Sequence, residues 1–162
     1  MAEWFESWFD TKYYHLLYQD RNETEASTFI SNLIGDLNVS KDATVLDLCC
    51  GKGRHSKFLN AKGFDVVGAD LSKESIQFAK ASENERLKFI VHDMRDNLPE
   101  FKFDLVLNLF TSFGYFSNPE ENNQVVKSIY SYLNSNGILV IDFLNVYKAI
   151  DELVPFEKRT AE

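Results

Sequence analysis

An apolar run near residue 45 leads into two closely spaced glycines, a pattern that can build a ligand-binding turn. Residues 44–56 read T-V-L-D-L-C-C-G-K-G-R-H-S, and the apolar, partly β-branched start is typical of a buried strand. Gly51 and Gly53 allow a tight turn and let a ligand approach the backbone with no Cβ in the way. Arg54–Ala61 has helical character, so a helix N-terminus with free N–H groups follows the glycines. This order of strand, turn and helix indicates a site for a nucleotide-type cofactor.

Three aspartates lie in or just after successive predicted strands. Asp47 interrupts the first strand, Asp70 ends a second at Phe64–Asp70, and Asp93 follows a third at Leu87–His92. Ligands of open parallel sheets bind beyond the carboxyl ends of the strands, so we expect the three carboxylates at one edge. Any one of them alone has a simpler explanation as a cap or a turn residue. A carboxylate there can accept hydrogen bonds from a diol or from an ammonium group.

Two classes of cofactor are compatible with this pattern. A dinucleotide site requires G-x-G-x-x-G/A and an acid about 20 residues further on. Gly51, Gly53 and Asp70 meet these requirements, but Ser56 stands at the third glycine position. Asp47 is poorly placed beside a pyrophosphate and well placed for a ligand with an ammonium group. The residues favour a cofactor with an ammonium group and leave a dinucleotide as the alternative.

The elements that must position these residues alternate along the chain. Further strands are predicted at Phe103–Leu109 and Ile138–Leu144. Caps at Ser72 and Asn118 begin two of the intervening helices, and the second of these is expected to end at Asn136-Gly137. The alternation predicts an α/β fold, a doubly wound parallel sheet of about five strands with helices on both faces. Helical spacing predicts packing by Ile76, Phe78, Ala79, Val125, Val126, Ile129, Tyr130 and Leu133.

The bulk composition excludes several classes of protein. The 162 residues suit one domain, and the net charge of -8 argues against a general nucleic-acid binder. No apolar run approaches the roughly 20 residues of a membrane span, and the acidic, aromatic start is not a signal peptide. Cys49 and Cys50 are adjacent, which fits small buried residues in a reducing cytoplasm better than a disulfide. Neither cysteine has a histidine at a zinc-ligand spacing, so no metal site is expected.

The first twenty residues are unusually aromatic. Phe5, Trp8, Phe9 and Tyr13 share one face at helical spacing. We expect residues 1–20 to form a helix docked on the core or an aromatic lid over a pocket, and both can hold at once.

The glycine turn and the acids together resemble the class I, Rossmann-like S-adenosylmethionine-dependent methyltransferases of the bacterial small-molecule type. The family motif D-x-G-x-G-x-G falls on Asp47, Cys49, Gly51 and Gly53, with Cys49 in place of the first glycine. The resemblance covers roughly residues 20–145. It implies the sheet order 3-2-1-4-5 with N-terminal covering helices, S-adenosyl-L-methionine as the cofactor, and methyl transfer to a small-molecule acceptor in the cytoplasm.

The resemblance also implies which motif binds which part of the cofactor. The glycine turn wraps the amino-acid part, and Asp70, in G-A-D-L-S, binds the ribose hydroxyls. Asp93, in H-D-M-R, lies near the adenine amino group, with Met94 against the ring. The strand end N-L-F-T-S faces the cofactor and the acceptor. The expected cofactor-binding residues are Tyr18, Arg21, Asp47, Cys49, Gly51, Gly53, Asp70, Leu71, Asp93, Met94, Asn108 and Leu109.

Methyl transfer by in-line displacement depends mainly on alignment, so no fixed catalytic triad is expected. The aromatic residues of F-T-S-F-G-Y-F, at 110–116, follow a buried strand and favour a substrate wall. His15 and Tyr115 are candidate catalytic residues, and Tyr14 and Tyr18 could also orient an acceptor. Arg21 or Arg54 could meet the cofactor carboxylate, whereas His55 and His92 are expected to be mainly structural.

The end of the sequence carries a further expectation. The resemblance implies two more strands after the fifth, and the sequence stops at Glu162. We therefore expect the cofactor-binding domain at 21–145 and a short helix and tail at 146–162, near a truncation point. An exposed apolar strand at Ile138–Leu144 would be a template for self-association. A module that binds S-adenosylmethionine or S-adenosylhomocysteine without turnover, and less favourably an NAD-dependent oxidoreductase, remain alternatives.

Overall fold

Five parallel strands form the centre of the molecule. The computed structural model describes residues 4–9, 11, 13, 16, 23–154, 156 and 158. The strand order is β3-β2-β1-β4-β5, with every pair parallel. This arrangement confirms the predicted fold class. The strands are β1 (Thr44–Leu48), β2 (Asp65–Asp70), β3 (Leu87–Val91), β4 (Phe103–Asn108) and β5 (Leu133–Ile141).

The helices alternate with the strands as expected. Ser72 and Asn118 are the predicted N-caps, and their side chains accept hydrogen bonds from Ser75 N at 3.0 Å and Glu120 N at 2.9 Å. Within the described residues, no helix is both long and apolar enough to cross a membrane. The helices are α1 (Trp4–Trp8), α2 (Glu23–Leu37), α3 (Arg54–Ala61), α4 (Lys73–Ala79), α5 (Pro119–Tyr132) and α6 (Val146–Asp151), with a 3-10 turn at Lys80–Ser82.

Apolar side chains cover both faces of the sheet. On one face Val45 and Leu105 pack with residues of α2, α3 and α4, and on the other Leu46 and Val106 pack with residues of α1 and α5. Burying one such side chain is worth roughly 1.5–3 kcal/mol. Because the central strands are buried on both sides, packing fixes the positions of their carboxyl ends. The polar residues that follow these strands are therefore also held in place.

The end of α5 differs from the prediction. The helix ends at Tyr132 rather than at Asn136-Gly137, and Leu133 already pairs with Phe103 of β4. Regular pairing resumes only between Leu105 and Ile138, after an irregularity in which Asn136 has a φ of 67°. Asn is one of the few non-glycine residues that readily adopt the left-handed conformation, so it suits this turn inside the strand. The periodicity therefore placed the helix boundary four residues too late.

Three residues predicted to pack are exposed. Phe78 is 60% exposed, Val126 43% and Tyr130 82%. Helix α5 buries Val125 and Ile129 at a spacing of four, which turns the residues one position later away from the sheet. The prediction failed because it included the flanks of each helical stripe along with its centre.

Candidate functional site

The turn after β1 has left-handed residues at alternate positions. Cys49, Gly51 and Gly53 have φ values of 66°, 54° and 78°. The Cys49 and Cys50 N–H groups donate to Ala69 O at 2.7 and 3.0 Å, which fixes the turn against β2. Cys49, in place of the family glycine, thus adopts the conformation that glycine favours, at a cost of roughly 1–3 kcal/mol for a non-glycine residue. The substitution changes the residue and keeps the turn.

The two glycines of the turn have different roles. A Cβ on Gly53 would lie 2.5 Å from Phe89 Cε1, so this glycine is needed for packing behind the turn. A Cβ on Gly51 would meet no atom within 4 Å, and Gly51 lines the cavity at the carboxyl edge of the sheet. Gly51 therefore leaves open backbone where a ligand can approach, and Gly53, which was predicted to bind the cofactor, does not line the cavity.

Asp70 is held at the end of β2 by two backbone hydrogen bonds. Its Oδ2 accepts from Gly51 N and its Oδ1 from Ser72 N, both at 2.8 Å. Each carboxylate oxygen can accept a second hydrogen bond, and the side chain lines the cavity. A carboxylate with fixed orientation at the cavity matches a vicinal diol.

Asp47 is a buried acid at the same edge. It is 2% exposed, and Ser56 Oγ donates a hydrogen bond to its Oδ2 at 2.5 Å. Burial raises the pKa of Asp47 to about 6, against the opposing effect of the Ser56 hydrogen bonds. Ser56 thus satisfies the acid from the position where a dinucleotide motif has its third glycine. A cationic group in the cavity would stabilise the charged form of Asp47.

Asp93 lies at the end of β3 and is bound by a residue that the sequence analysis did not single out. Arg95 Nη2 donates to Asp93 Oδ2 at 2.6 Å, and Arg95 Nε donates to Oδ1 at 3.0 Å. Burial alone would raise the pKa of Asp93, but the hydrogen bonds and charge of Arg95 hold it below the ordinary value. The signal was an arginine two residues after the acid, in D-M-R.

A cavity of about 650 Å³ lies where these groups meet. Its volume falls within the ordinary range for sites of small molecules and cofactors. Asn108 is fully buried beneath it and donates to Leu48 O at 3.3 Å, so it braces β4 against β1 rather than lining the cavity. Of the residues predicted to bind or act, those that line the cavity are Asp47, Cys49, Gly51, Arg54, Asp70, Leu71, Asp93, Met94, Leu109 and Tyr115.

Four of the predicted residues lie outside the described residues. They are His15, Tyr18 and Arg21, together with Tyr14.

Cys50 is buried under the turn, and Cys49 is half-buried beside the cavity. Burial raises the pKa of both Cys49 and Cys50, and Cys49 Sγ lies 3.7 Å from Met94 Sδ. Both cysteines are free. Protonated thiols in such surroundings act as packing groups, in line with the interpretation from sequence. The described part of the chain has no cluster of three potential metal ligands.

Aromatic side chains border the cavity, and some of them belong to the short helix α1. We call Trp4, Phe5, Phe9, Tyr115 and Phe116 the aromatic wall. The Tyr115 ring lies 5.4 Å from that of Trp4 and 5.6 Å from that of Phe9, and Phe5 lies 5.4 Å from Phe116, all between ring centroids. All five residues line the cavity, and Phe5 is also buried in the core.

Two histidines that were expected to be mainly structural also border the cavity. His55 is buried and stacks on Phe110, with 4.9 Å between ring centroids and 15° between planes. Burial lowers the pKa of His92, and its Nε2 has no hydrogen-bond partner among the described residues. Arg54, at the same edge, pairs with Glu25 at 3.3 Å.

The residues present fit S-adenosylmethionine. The cofactor carries an ammonium group, a ribose diol and an adenine. The cavity offers three acids for these groups: the buried Asp47, the oriented Asp70, and Asp93. The open backbone at Gly51 supplies a surface that a side chain would fill.

Several known proteins with similar sequences are named as methyltransferases. The methyltransferase domain family matches residues 45–137. The chain is 32% identical over 142 residues to a glycine/sarcosine N-methyltransferase of Halorhodospira halochloris, covering 83% of this chain and 50% of that protein. It is 29% identical over 134 residues to the dTDP-3-amino-3,4,6-trideoxy-alpha-D-glucopyranose N,N-dimethyltransferase of Streptomyces venezuelae, covering 80% and 54%.

A solved structure agrees with these relatives. DesVI of Streptomyces venezuelae superposes with a TM-score of 0.69 at 28% identity, over 81% of this chain and 56% of that one. The chain spans about half the length of the curated relatives it matches. The matches to this family and to these relatives favour a methyltransferase over a dinucleotide-binding oxidoreductase. The chain belongs to the methyltransferase domain family, within the class I, S-adenosylmethionine-dependent group.

Proposed function

We propose that this protein transfers a methyl group from S-adenosylmethionine to a nitrogen atom of a small-molecule acceptor. The observation that carries the proposal is the Asp70 carboxylate, fixed by two backbone N–H groups at the edge of a 650 Å³ cavity. The nitrogen acceptor is supported by the relatives, one named for glycine and sarcosine and the other for an amino sugar.

The described residues divide the cofactor between them. Asp47 would accept the ammonium group, the open backbone at Gly51 would border the amino-acid part, and Asp70 would bind the ribose hydroxyls. Asp93 and Met94 would meet the adenine, as the resemblance implies. When bound, the cofactor supplies a methyl group already activated for displacement.

The chain's own residues then have three tasks. The acids orient one reactant, the aromatic wall and Phe110 exclude water, and Thr111 and Ser112 offer hydroxyl groups within the same cavity. Holding both reactants in line is the main requirement of a displacement, and alignment alone can account for about 7–11 kcal/mol of a barrier. Tyr115, which packs on Trp4, Phe5 and Phe9, would orient the acceptor.

The proposal is tested by incubating the chain with S-adenosylmethionine labelled in its methyl group. Primary and secondary amines, glycine and sarcosine among them, are offered beside alcohols of similar size. We expect label in the amines, none in the alcohols, and none with the Asp70→Ala variant. Transfer to alcohols only would contradict the nitrogen acceptor. Binding of S-adenosylhomocysteine without transfer to any acceptor would favour the alternative of a binding module.

We also infer that the chain self-associates through β5. Among the described strands, β5 pairs only with β4, so its other edge carries unpaired backbone groups. Ile138 and Ile141 are each 36% exposed, and Phe143 and Leu144 continue the apolar surface. Such an edge is a template for another strand, here that of a second copy. We expect a dimer by light scattering with slow amide exchange in β5, and a monomer with free exchange would contradict it.

The cellular setting is part of the same proposal. The adjacent cysteines are both free, which supports a reducing compartment and thus the cytoplasm. A small-molecule acceptor is in keeping with a net charge of -8, which disfavours nucleic acid as a partner.

A further inference from the structure

Arg95 does not line the cavity, yet its guanidinium contacts residues from three parts of the chain around it. One side of the guanidinium binds Asp93: Nε donates to Oδ1 at 3.0 Å and Nη2 donates to Oδ2 at 2.6 Å. The Arg95 backbone N–H also donates to Asp93 Oδ1, at 2.9 Å. This two-pronged geometry is specific to arginine, because the flexible ammonium of a lysine cannot reproduce it. It fixes the plane of the Asp93 carboxylate.

The other side of the guanidinium reaches the start of α5. Nη1 donates to Glu121 Oε1 at 2.6 Å, and the Arg95 backbone carbonyl accepts from Ser128 Oγ at 2.7 Å. Ser128 is fully buried. Arg95 is therefore anchored by its side chain and by its backbone to the same helix, so the Asp93 carboxylate is oriented relative to α5.

The face of the guanidinium lies against the aromatic wall. The Arg95 Cζ atom is 4.6 Å from the centroid of the Phe116 ring, the geometry of a cation–π contact. Phe116 packs edge-to-face on Phe5, which stacks on Tyr115 at 6.2 Å. One side chain thus connects an acid of the cofactor site to the helix that carries Trp4 and Trp8.

We propose that Arg95 is a positioning residue that couples the nucleoside end of the cofactor site to the aromatic wall. Asp93 and the wall face the same cavity, and the guanidinium behind them holds both in one arrangement. Nucleoside binding at Asp93 therefore orders the wall, and the wall in turn favours nucleoside binding. This inference rests on the proposed function, because it takes Asp93 to be in contact with the nucleoside.

The test uses the two tryptophans, which are the only ones in the chain and both line the cavity. S-adenosylhomocysteine affinity is measured by calorimetry, and the ligand-induced change in tryptophan emission is recorded in parallel. The variants are Arg95→Met, Arg95→Lys and Glu121→Gln. Arg86→Met is the matched control, since Arg86 pairs with Asp65 on the exposed surface and does not line the cavity.

We expect Arg95→Met to weaken S-adenosylhomocysteine affinity by about tenfold, because the charge-assisted hydrogen bonds that orient Asp93 are lost. The same variant should abolish the change in tryptophan emission. Arg95→Lys should restore less than half of either response, because it keeps the charge and loses the fork. Glu121→Gln should keep the S-adenosylhomocysteine affinity within about threefold of the wild type, because a single ion pair contributes little free energy. It should nevertheless reduce the change in tryptophan emission. Arg86→Met should behave as the wild type.

Arg95→Met with the affinity and emission response of Arg86→Met would overturn the inference. Should Arg95→Met not fold, Glu121→Gln decides: a reduced emission change at retained affinity supports coupling, and an unchanged response overturns it. Failure of the wild type to bind S-adenosylhomocysteine overturns the proposed function, and this inference with it. The two failures are thus distinguishable.

Discussion

The carboxyl edge of the sheet, which carries Asp47, Asp70 and Asp93, and the aromatic wall border one cavity but are built in different ways. At the carboxyl edge of the sheet, Asp47 and Asp70 are held by contacts fewer than 20 residues apart in the sequence, with Ser56 and the Gly51 backbone as donors. In the aromatic wall, Phe5 meets Tyr115 and Phe116 across more than a hundred residues of chain. The first region is rigid because contacts close in sequence fix its carboxylates. The second region depends on tertiary packing.

This difference has a functional consequence. A cofactor shared by a family needs the same donors and acceptors in every member, and a backbone-held edge supplies them. An acceptor that differs between members needs side chains that can change without loss of the sheet. The predictions below test whether the two regions can be perturbed separately.

The largest effect is expected from Asp70. Asp70→Ala removes two acceptor positions for the diol and leaves the Gly51 and Ser72 N–H groups without their carboxylate. We expect S-adenosylhomocysteine affinity to fall by roughly a hundredfold, as measured by calorimetry. Asp65→Ala, at the other end of β2 and paired with Arg86 on the surface, is the control. Affinity of Asp70→Ala within threefold of the control would show that Asp70 does not bind the ribose.

The next effect concerns the turn itself. Gly53→Ala places a Cβ 2.5 Å from the Phe89 ring at a φ of 78°, so we expect a loss of roughly 2–3 kcal/mol in the free energy of unfolding. Gly35→Ala, in α2 with no atom within 4 Å, should instead gain roughly 0.5–1 kcal/mol. Urea unfolding measures both. Equal stabilities of the two variants would show that the turn is looser than described.

A smaller effect is expected from pH. The pKa of Asp47 is about 6, so the acid is mostly charged at pH 7 and mostly protonated at pH 5. If it accepts the ammonium group, S-adenosylhomocysteine affinity should fall about tenfold as the pH drops from 7 to 5. For stability the sign is reversed: a raised folded pKa stabilises the fold at low pH, and that stability is lost as the pH rises from 3.8 through 6.

Asp47→Asn is the control for this pH dependence, since it keeps the shape and removes the titrating group. Its affinity should change less between pH 7 and 5 than that of the wild type. An equally steep dependence in both proteins would assign the titration to another group.

The smallest effect on cofactor binding is expected from the aromatic wall. Tyr115→Ala removes the ring on which Trp4 and Phe9 pack, so tryptophan emission should shift to the red in the absence of ligand. S-adenosylhomocysteine affinity should stay within about threefold, the scale of one lost ring contact. A loss as large as that of Asp70→Ala would mean that the wall belongs to the cofactor site.

The comparison of the two regions also explains what the sequence could predict. The sheet order, the cap residues and the three acids follow from local patterns and from the resemblance. The structure agrees for the sheet order and the caps, whereas β5 spans Leu133–Ile141 rather than the predicted Ile138–Leu144. Ser56 counted against a dinucleotide motif, and its role as the donor to Asp47 required the geometry of α3. Arg95 was missed because its partners Glu121 and Phe116 are distant in sequence, and no periodicity connects them.

Boundaries and exposed flanks were predicted least well. The end of α5 depends on an irregular pairing between Phe103 and Leu133, a tertiary contact that no local preference encodes. Phe78 has the hydrophobicity of a core residue, yet it lies on the outer side of α4, with Lys52 Nζ 5.3 Å from its ring centroid.

A crystal structure of the chain with S-adenosylhomocysteine tests the central claim most directly. The account predicts the ribose hydroxyls within hydrogen-bond distance of both Asp70 oxygens and the amino-acid part beside Asp47 and Gly51. A nucleoside bound elsewhere, with neither Asp70 oxygen within hydrogen-bond distance of the ribose, would contradict it.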